Sequence, residues 1–579
     1  MAERTLEAPR PVQAPPVDPS RMEISPVDVA ASELFDRRWN LKPRAALAAT
    51  ILALVAFAFV SRWWFLPHRL EGWDPLQHAL GLRDFDVFRH TPHPPGAPTY
   101  HLFLRLIHAL VGDATAAVLW SGVALSVLAG LAGFALGVAL PAKSGRRTPG
   151  LVGLFLLMSP ALWLDGVSGG SCAGDAVLAA LVGVFCYLAR TRRHLASAVG
   201  GAAALAILIG FRQNVNLASV CLMPLWIWSL LPCLTRVRLV GLAVFATVCA
   251  AWAIPTASAC GGWSAWLAPT FEHAGLCNFQ GILGGDFTPG SLLSLAGQGE
   301  AELGAYLGML WIPVMVACLC CVLRRGWRAS PHVPLTCLWL LPLAAGIVLA
   351  PTHLHEYAAV ALPILCWWAA TGLSHLCHWG ATRVQAIGTL RAVPAGSVSR
   401  GLLLSSAATI VLCNVFVFLL MRSSDPEADS YYATLGRIGR RFEPASTLIV
   451  SSGLGQRYAS HTLPGFTSVY LAALEEDPWE PYAGRIFRNG TELTFAGPAG
   501  AVPLLDGPVH TVVLTDPFEI VCEPPLVLHD LDGQSRFIDG GKDEITVRYE
   551  DGKLIVTAAP PENASASAER GPKGHLNRS

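Results

Sequence analysis

The chain has 579 residues, 53% of them hydrophobic and only 14% charged, with a formal net charge of zero. A soluble globular chain carries about 25% charged residues, so a cytosolic enzyme, a nucleic-acid binder and a disordered protein are all excluded. The charge is also uneven: 36 of the 158 residues from Arg422 onward are Asp, Glu, Lys or Arg, against 46 of the 421 before it. The chain therefore reads as a membrane-embedded body followed by a soluble C-terminal part.

Residues 1–44 are Pro-rich and polar, and the first apolar run begins only at Ala45. This stretch reads as a disordered cytosolic tail rather than a cleavable signal peptide. A membrane helix needs about 20 mostly apolar residues. Runs of that kind fall near 45–65, 115–140, 149–165, 173–190, 195–211, 215–233, 236–256, 303–323, 333–350, 357–376 and 401–421. The expected fold class is a multi-pass α-helical membrane protein with about eleven transmembrane helices, its body spanning 45–421. Between the first two runs, residues 66–114 form an outer loop that ends in APTYHLFLRLIHALVG. There His101, Arg105 and His108 recur at i, i+4 and i+7, a polar stripe that suits a helix lying in the membrane interface.

Most of the fifteen cysteines lie inside apolar runs, as Cys318, Cys320 and Cys321 do, and act as small hydrophobes. Cys260 and Cys277, in the connection 257–300, either form a disulfide in an oxidising compartment or remain free thiols. Trp263, Trp266 and Phe271 between them read as membrane-interface aromatics, or as a surface on which a sugar acceptor stacks. From Asp425 the pattern becomes α/β. SYYATLGRIGRRF predicts a helix, STLIVSS, TSVYLAA and HTVVLTD predict strands, and EITVRYEDGKLIVTA predicts a hairpin turning at Asp551-Gly552. Residues 422–560 are thus expected to be a soluble α/β domain and 561–579 a disordered tail.

Orientation follows from basic residues in the short connections. Arg37, Arg38, Lys42 and Arg44 precede the first run. Lys143, Arg146 and Arg147 follow the second, Arg190, Arg192 and Arg193 the fourth, and Arg236 and Arg238 the sixth. Arg324, Arg325 and Arg328 follow the eighth, and Arg383, Arg391 and Arg400 the tenth, whereas 257–300 holds no Lys or Arg. Every second connection is basic. The N-terminus is expected in the cytosol and the C-terminal domain on the outer face.

Polar side chains concentrate on that outer face. Asp74, Arg83, Asp84, Asp86, Arg89, His90 and His93 fall within twenty residues of the first loop, followed by Pro94-Pro95-Gly96. Either these charges pair in a hydrated loop, or the prolines fix a rigid platform for chemistry. Asp84 and Asp86 share a face on a strand but not on a helix; they ligand a divalent metal (Mg or Mn), orient a sugar, or pair with Arg83 and Arg89. Arg212, beside Gln213 and Asn214 where the fifth run reaches the outer interface, is a phosphate ligand or a lipid-headgroup anchor. His355 and Glu356, in the connection before the tenth run, contact phosphate or sugar, cap a helix, or form part of a metal site that lacks a third ligand.

Trp73-Asp74 just after the first run, PHPPGAP at 92–98, SPALW at Ser159–Trp163 and GFRQN at Gly210–Asn214 occur in that order and on one side of the membrane. Together they resemble the GT-C superfamily, multi-pass glycosyltransferases that use polyprenyl-phosphate sugars, such as protein mannosyltransferases and aminoarabinose transferases. The resemblance extends over roughly 45–380. It implies that Asp74, an acidic residue of the first outer loop, is the catalytic base. It implies that polar residues of the late loop, here His355 and Glu356, face the donor's phosphate or sugar. Arg212 with Gln213 is the candidate for the donor phosphate, Asp86 and Arg83 are candidate substrate contacts, and His93 is a positioning hydrogen bonder or a metal ligand. Asp84 is the candidate metal ligand, and no cofactor is implied beyond that metal.

The implied partners are a polyprenyl-phosphate sugar, a glycan, lipid or protein acceptor, and membrane lipid, at a bacterial plasma membrane. Transfer with inversion needs a carboxylate to take the acceptor's proton, and a phosphate leaving group needs a cation rather than an acid. The rival reading is a transporter or lipid-linked-sugar flippase. Such proteins place charges near mid-membrane on broken helices in repeated halves, whereas this sequence shows no repeat and its polar clusters sit at the outer ends of runs. A non-catalytic assembly protein is a third reading, against which the density of the first loop argues.

Overall fold

The computed structural model describes residues 41–87, 91–140, 148–212, 216–279, 303–323, 332–349, 354–386, 394–422, 426–451 and 453–470, residues 297 and 301, and seven further strands. Those strands are 486–488, 491–493, 509–514, 520–521, 531–539, 544–550 and 553–558. Up to Ala53 the described chain is helix alone, and every contact below lies within 54–579.

Each apolar run falls on helix. Among the described residues, six helices are long and apolar enough to cross a membrane: Ala45–Trp63, Ala114–Ala139, Cys172–Arg192, Thr235–Ala259, Tyr357–Ala386 and Gly396–Met421. Four shorter apolar helices, Leu195–Phe211, Ser219–Leu230, Leu303–Leu319 and His332–Ala345, account for further runs. The third run departs from the expected single span. It is two helices, α5 (Thr148–Leu157) and α6 (Pro160–Ser168), bent by 56°. Pro160 has no N–H to continue the ladder, and Ser159 instead caps α6, its hydroxyl accepting from Leu162 N–H at 3.4 Å. The carbonyls freed at the break are met by buried side chains: Arg62 donates to Leu157 and Asn414 to Met158, the latter at 2.9 Å. In hydrocarbon no water is present to do this.

Helix α4 (Ala114–Ala139) packs on both halves of the bent pair through small residues. A Cβ on Gly122 would stand 2.7 Å from the Gly166 carbonyl, so only glycine permits that approach. Close backbone contact of this kind, rather than hydrophobic exclusion, is what associates helices in lipid.

Between the first two apolar runs, α2 (Trp73–Arg83) is followed by α3 (Pro98–Val111). At fourteen residues α3 reaches only about 21 Å, short of a bilayer. Its buried face is Tyr100, His101 and Leu104, while Leu102, Leu106 and Leu110 are 71%, 61% and 77% exposed. The stripe read from the sequence is therefore split: His101 faces the protein and leucines face outward, as suits a helix resting on lipid.

Beyond Met421, α17 (Pro426–Arg441) and α18 (Gly453–Thr462) accompany nine strands among the described residues. These are β1 (Thr447–Ser451), β2 (Thr467–Tyr470), β3 (Ile486–Arg488), β4 (Thr491–Leu493), β5 (Val509–Leu514), β6 (Ile520–Val521), β7 (Leu531–Asp539), β8 (Glu544–Glu550) and β9 (Lys553–Ala558), in the order β4-β3-β2-β1-β5-β7-β8-β9-β6. Strand β1 (Thr447–Ser451) runs parallel to β2 (Thr467–Tyr470) and to β5 (Val509–Leu514). The hairpin β8 (Glu544–Glu550) and β9 (Lys553–Ala558) closes on Glu550 opposite Lys553, which leaves the two-residue turn between them outside the described residues.

Candidate active site

Helix α2 starts immediately after Gly72, whose φ of 86° is accessible to glycine without strain. That start sets Asp74 in the first turn, where the helix dipole favours a carboxylate. Arg212 occupies the opposite kind of position, the C-cap of α8 (Leu195–Phe211), where the chain leaves the helix. It is 8% exposed, and its guanidinium joins three elements. One nitrogen donates to Asp74 Oδ2 at 3.2 Å; the other donates to Asp175 Oδ2 at 3.4 Å and to Cys172 Sγ at 2.8 Å. Asp175 lies in the first turn of α7 (Cys172–Arg192). The N-terminus of α7 is also met by Asp165 from α6, whose Oδ2 accepts the Ala173 N–H at 3.0 Å. The bend between α5 and α6 thus delivers a carboxylate to the helix end that carries Arg212's inner partner.

His93 approaches Asp74 from the proline-rich segment. Its Nε2 lies 3.9 Å from Asp74 Oδ1, and its ring stacks on Trp73 at 6.0 Å and 27°. Two contacts hold that segment: Asp86 and Thr91 exchange backbone hydrogen bonds of 2.8 and 2.9 Å, and Trp266 Nε1 donates to the Pro95 carbonyl at 2.8 Å. Trp266 is therefore a buried strut of the loop rather than an interface aromatic, while Trp263 and Phe271 are exposed. Beneath α2, His78 Nδ1 and His101 Nε2 share a hydrogen bond of 3.1 Å. Burial pushes His78 down to about 4, with Asp74 opposing and Arg212 adding to the fall; burial also holds His101 well below its ordinary value.

The structure thus brings Asp74, Arg212 and His93 together. The remaining candidates lie elsewhere or beyond view. Arg83 donates to the His461 carbonyl at 3.1 Å, so it ties α2 to α18. Asp84 is the C-cap of α2, and the Asp86 backbone forms the bridge to Thr91. No three His, Cys, Asp or Glu side chains converge among the described residues, so the donor set a metal needs is not assembled around Asp84 there. His355 and Glu356 stand in the first turn of α15 (Leu354–Ala386), their side chains outside the described ones. Gln213, Asn214, Arg89 and His90 also lie outside the described residues. Cys260 is a free thiol.

Sequence reasoning missed Asp165, Asp175 and Cys172. The signal was available, because carboxylates inside apolar runs are costly and so mark functional or paired positions.

No family model matches the sequence, and no curated protein matches it. Solved structures do match. The chain is similar in fold to the crystal structure of ArnT from Cupriavidus metallidurans bound to undecaprenyl phosphate, with a TM-score of 0.50 at 15% identity, covering 75% of this chain and 87% of that one. ArnT is an aminoarabinose transferase. The chain is also similar to the oligosaccharyltransferase AglB from Archaeoglobus fulgidus, in complex with an inhibitory peptide and a dolichol-phosphate, with a TM-score of 0.43 at 14% identity over 71% of this chain and 63% of that one. At such identities the likeness is one of fold.

Proposed function

We propose that the chain is an integral-membrane glycosyltransferase that moves a sugar from a polyprenyl-phosphate donor to an acceptor hydroxyl at the outer face, with inversion. The observation that carries this reading is the Asp74–Arg212 pair, 3.2 Å apart, formed by the start of the outer-loop helix and the end of an apolar one. In this reading the pair sets a proton acceptor beside a cation at headgroup depth, where a lipid chain must hold its phosphate. Asp74 takes the proton of the attacking hydroxyl. Arg212, oriented from behind by Asp175 and Cys172, accepts the departing phosphate in a partly desolvated site, where a charge-assisted contact is strong. His93 orients Asp74 and the sugar, while Gln213, Asp86, His355 and Glu356 are further donor or acceptor contacts.

In this reading the eleven apolar runs are eleven crossings, with the N-terminus cytosolic. Residues 422–560 form a soluble α/β domain outside, and the exposed leucines of α3 lie on lipid. The acceptor is a glycan, lipid or protein. The bent α5–α6 pair with buried carboxylates nearby favours a second reading, a transporter or flippase. Incubating purified protein in detergent with a radiolabelled polyprenyl-phosphate sugar separates the two: an enzyme transfers or hydrolyses the sugar, and a transporter does neither.

A further inference from the structure

The side chains that hold the start of α2 come from the other end of the chain. Gly72 N–H donates to the Tyr458 hydroxyl at 3.2 Å, and the Tyr432 hydroxyl donates to the Leu70 carbonyl at 2.8 Å. Between them the Arg457 guanidinium lies over the Trp73 indole, 5.5 Å from the ring centroid. The far end of α2 is tied in the same manner. Arg83 donates to the His461 carbonyl, and His461 Nε2 stands 3.0 Å from the Thr115 hydroxyl.

Arg457 is only 7% exposed. Withdrawing a guanidinium from water is costly unless something compensates, and a cation over an indole offsets part of that cost. Trp73 passes the constraint on. Its ring stacks on His93, and His93 Nε2 reaches to 3.9 Å from Asp74 Oδ1. A continuous line of contacts thus runs from Arg457 through Trp73 and His93 to the carboxylate.

We infer that helix α18 completes the active site, with Arg457 as a positioning residue that fixes Trp73 and, through it, the direction of the Asp74 carboxylate. The inference rests on the transferase reading of Asp74. It gives the C-terminal segment a direct part in turnover, since a displacement of about 1 Å at a reacting group can cost about a hundredfold.

The test uses the full chain in detergent with a polyprenyl-phosphate sugar donor. Arg457→Gln and Trp73→Leu should each lower kcat by about 10- to 100-fold while the KM for donor moves less than about twofold. Their double variant should be no slower than the slower single, because both remove one constraint. Arg457→Lys keeps a cation over the ring and should retain turnover to within about fivefold. Multiplying single effects, a raised KM with intact kcat, or Lys as poor as Gln would each overturn the inference. If Arg457→Gln does not fold, Tyr458→Phe reads the same constraint: removal of the Gly72 acceptor should lower kcat by about 3- to 10-fold, and an unchanged kcat overturns the inference. A wild type that transfers nothing overturns the transferase reading and this role with it, whereas an active wild type with an indifferent Arg457 overturns this role alone.

Discussion

At the scale of single residues, the Asp74–Arg212–Asp175 array makes opposite demands on its members. Asp74 is 40% exposed, open to an acceptor, and Asp175 is 3% exposed, a buried carboxylate that holds Arg212. Asp74→Asn keeps the shape and removes the proton acceptor, so turnover should fall by about 10² to 10⁴ with donor binding intact in the same preparation. Normal turnover would return Asp74 to a structural role. Arg212→Ala should lower turnover by about thirty- to a thousand-fold, and Arg212→Lys should restore only part, because a point charge lacks the planar fork. The alanine variant also takes the guanidinium from buried Asp175, which costs about 3–5 kcal/mol of stability. Adding Asp175→Asn should recover the melting temperature but not the turnover. Recovery of both would make Arg212 an anchor of the fold.

At the scale of elements, two features position the array. The first is the bend between α5 and α6. Asn414 donates to the Met158 carbonyl at the break and accepts from Met309 N–H at 3.0 Å, so one side chain joins α16 (Ala395–Met421) to two other segments. Asn414→Leu should cost about 1–3 kcal/mol for each polar group left unmet, seen as a lowered melting temperature with a further loss of turnover as Asp165 shifts. A silent Asn414→Leu would show that the bend is fixed by Pro160 alone. The second feature is a pair of buried imidazoles, His78 in the middle of α2 and His461 beside its C-terminal end. Burial pushes both His78 and His461 down to about 4 from an ordinary 6.5. The unfolded chain takes up these protons near pH 6.5 and the folded chain refuses them until about 4. Stability is therefore complete above about 6.5 and declines as pH falls through that window, by up to about 3 kcal/mol for each imidazole. Melting temperature measured from pH 7.5 to 4.5 should fall, and His461→Gln should flatten part of the slope; a pH-independent wild type would contradict this.

At the scale of the whole molecule, the alternation of basic connections predicts that Lys143–Arg147 and the 377–400 connection face the cytosol and that 425–579 face outward. An epitope inserted after Gly540 should be read by antibody on intact cells, and one inserted after Ser144 only after permeabilisation; the reverse pattern would overturn the orientation. The exposed leucines of α3 belong to the same proposed picture, in which they lie on a lipid surface.

The sequence by itself determined what depends on local composition. Apolar runs specify helices because backbone groups in lipid must bond within their own segment. Pro94-Pro95-Gly96 and the α/β periodicity after Asp425 marked a rigid loop and a change of solvent. Asp74, Arg212 and His93 were legible as isolated polar groups on one side. The tertiary structure alone decided which of them meet. Arg212 lies 138 residues from Asp74, and no periodicity relates positions brought together by helix packing. Asp175, Asp165 and Cys172 were hidden because a carboxylate or thiol inside an apolar run reveals its cost but not its partner. The contact Arg83 makes with His461, and the part Arg457 plays over Trp73, were unseen for the same reason: the sequence shows a charge, and only the fold shows that α18 packs against α2 and meets those charges from a distant segment.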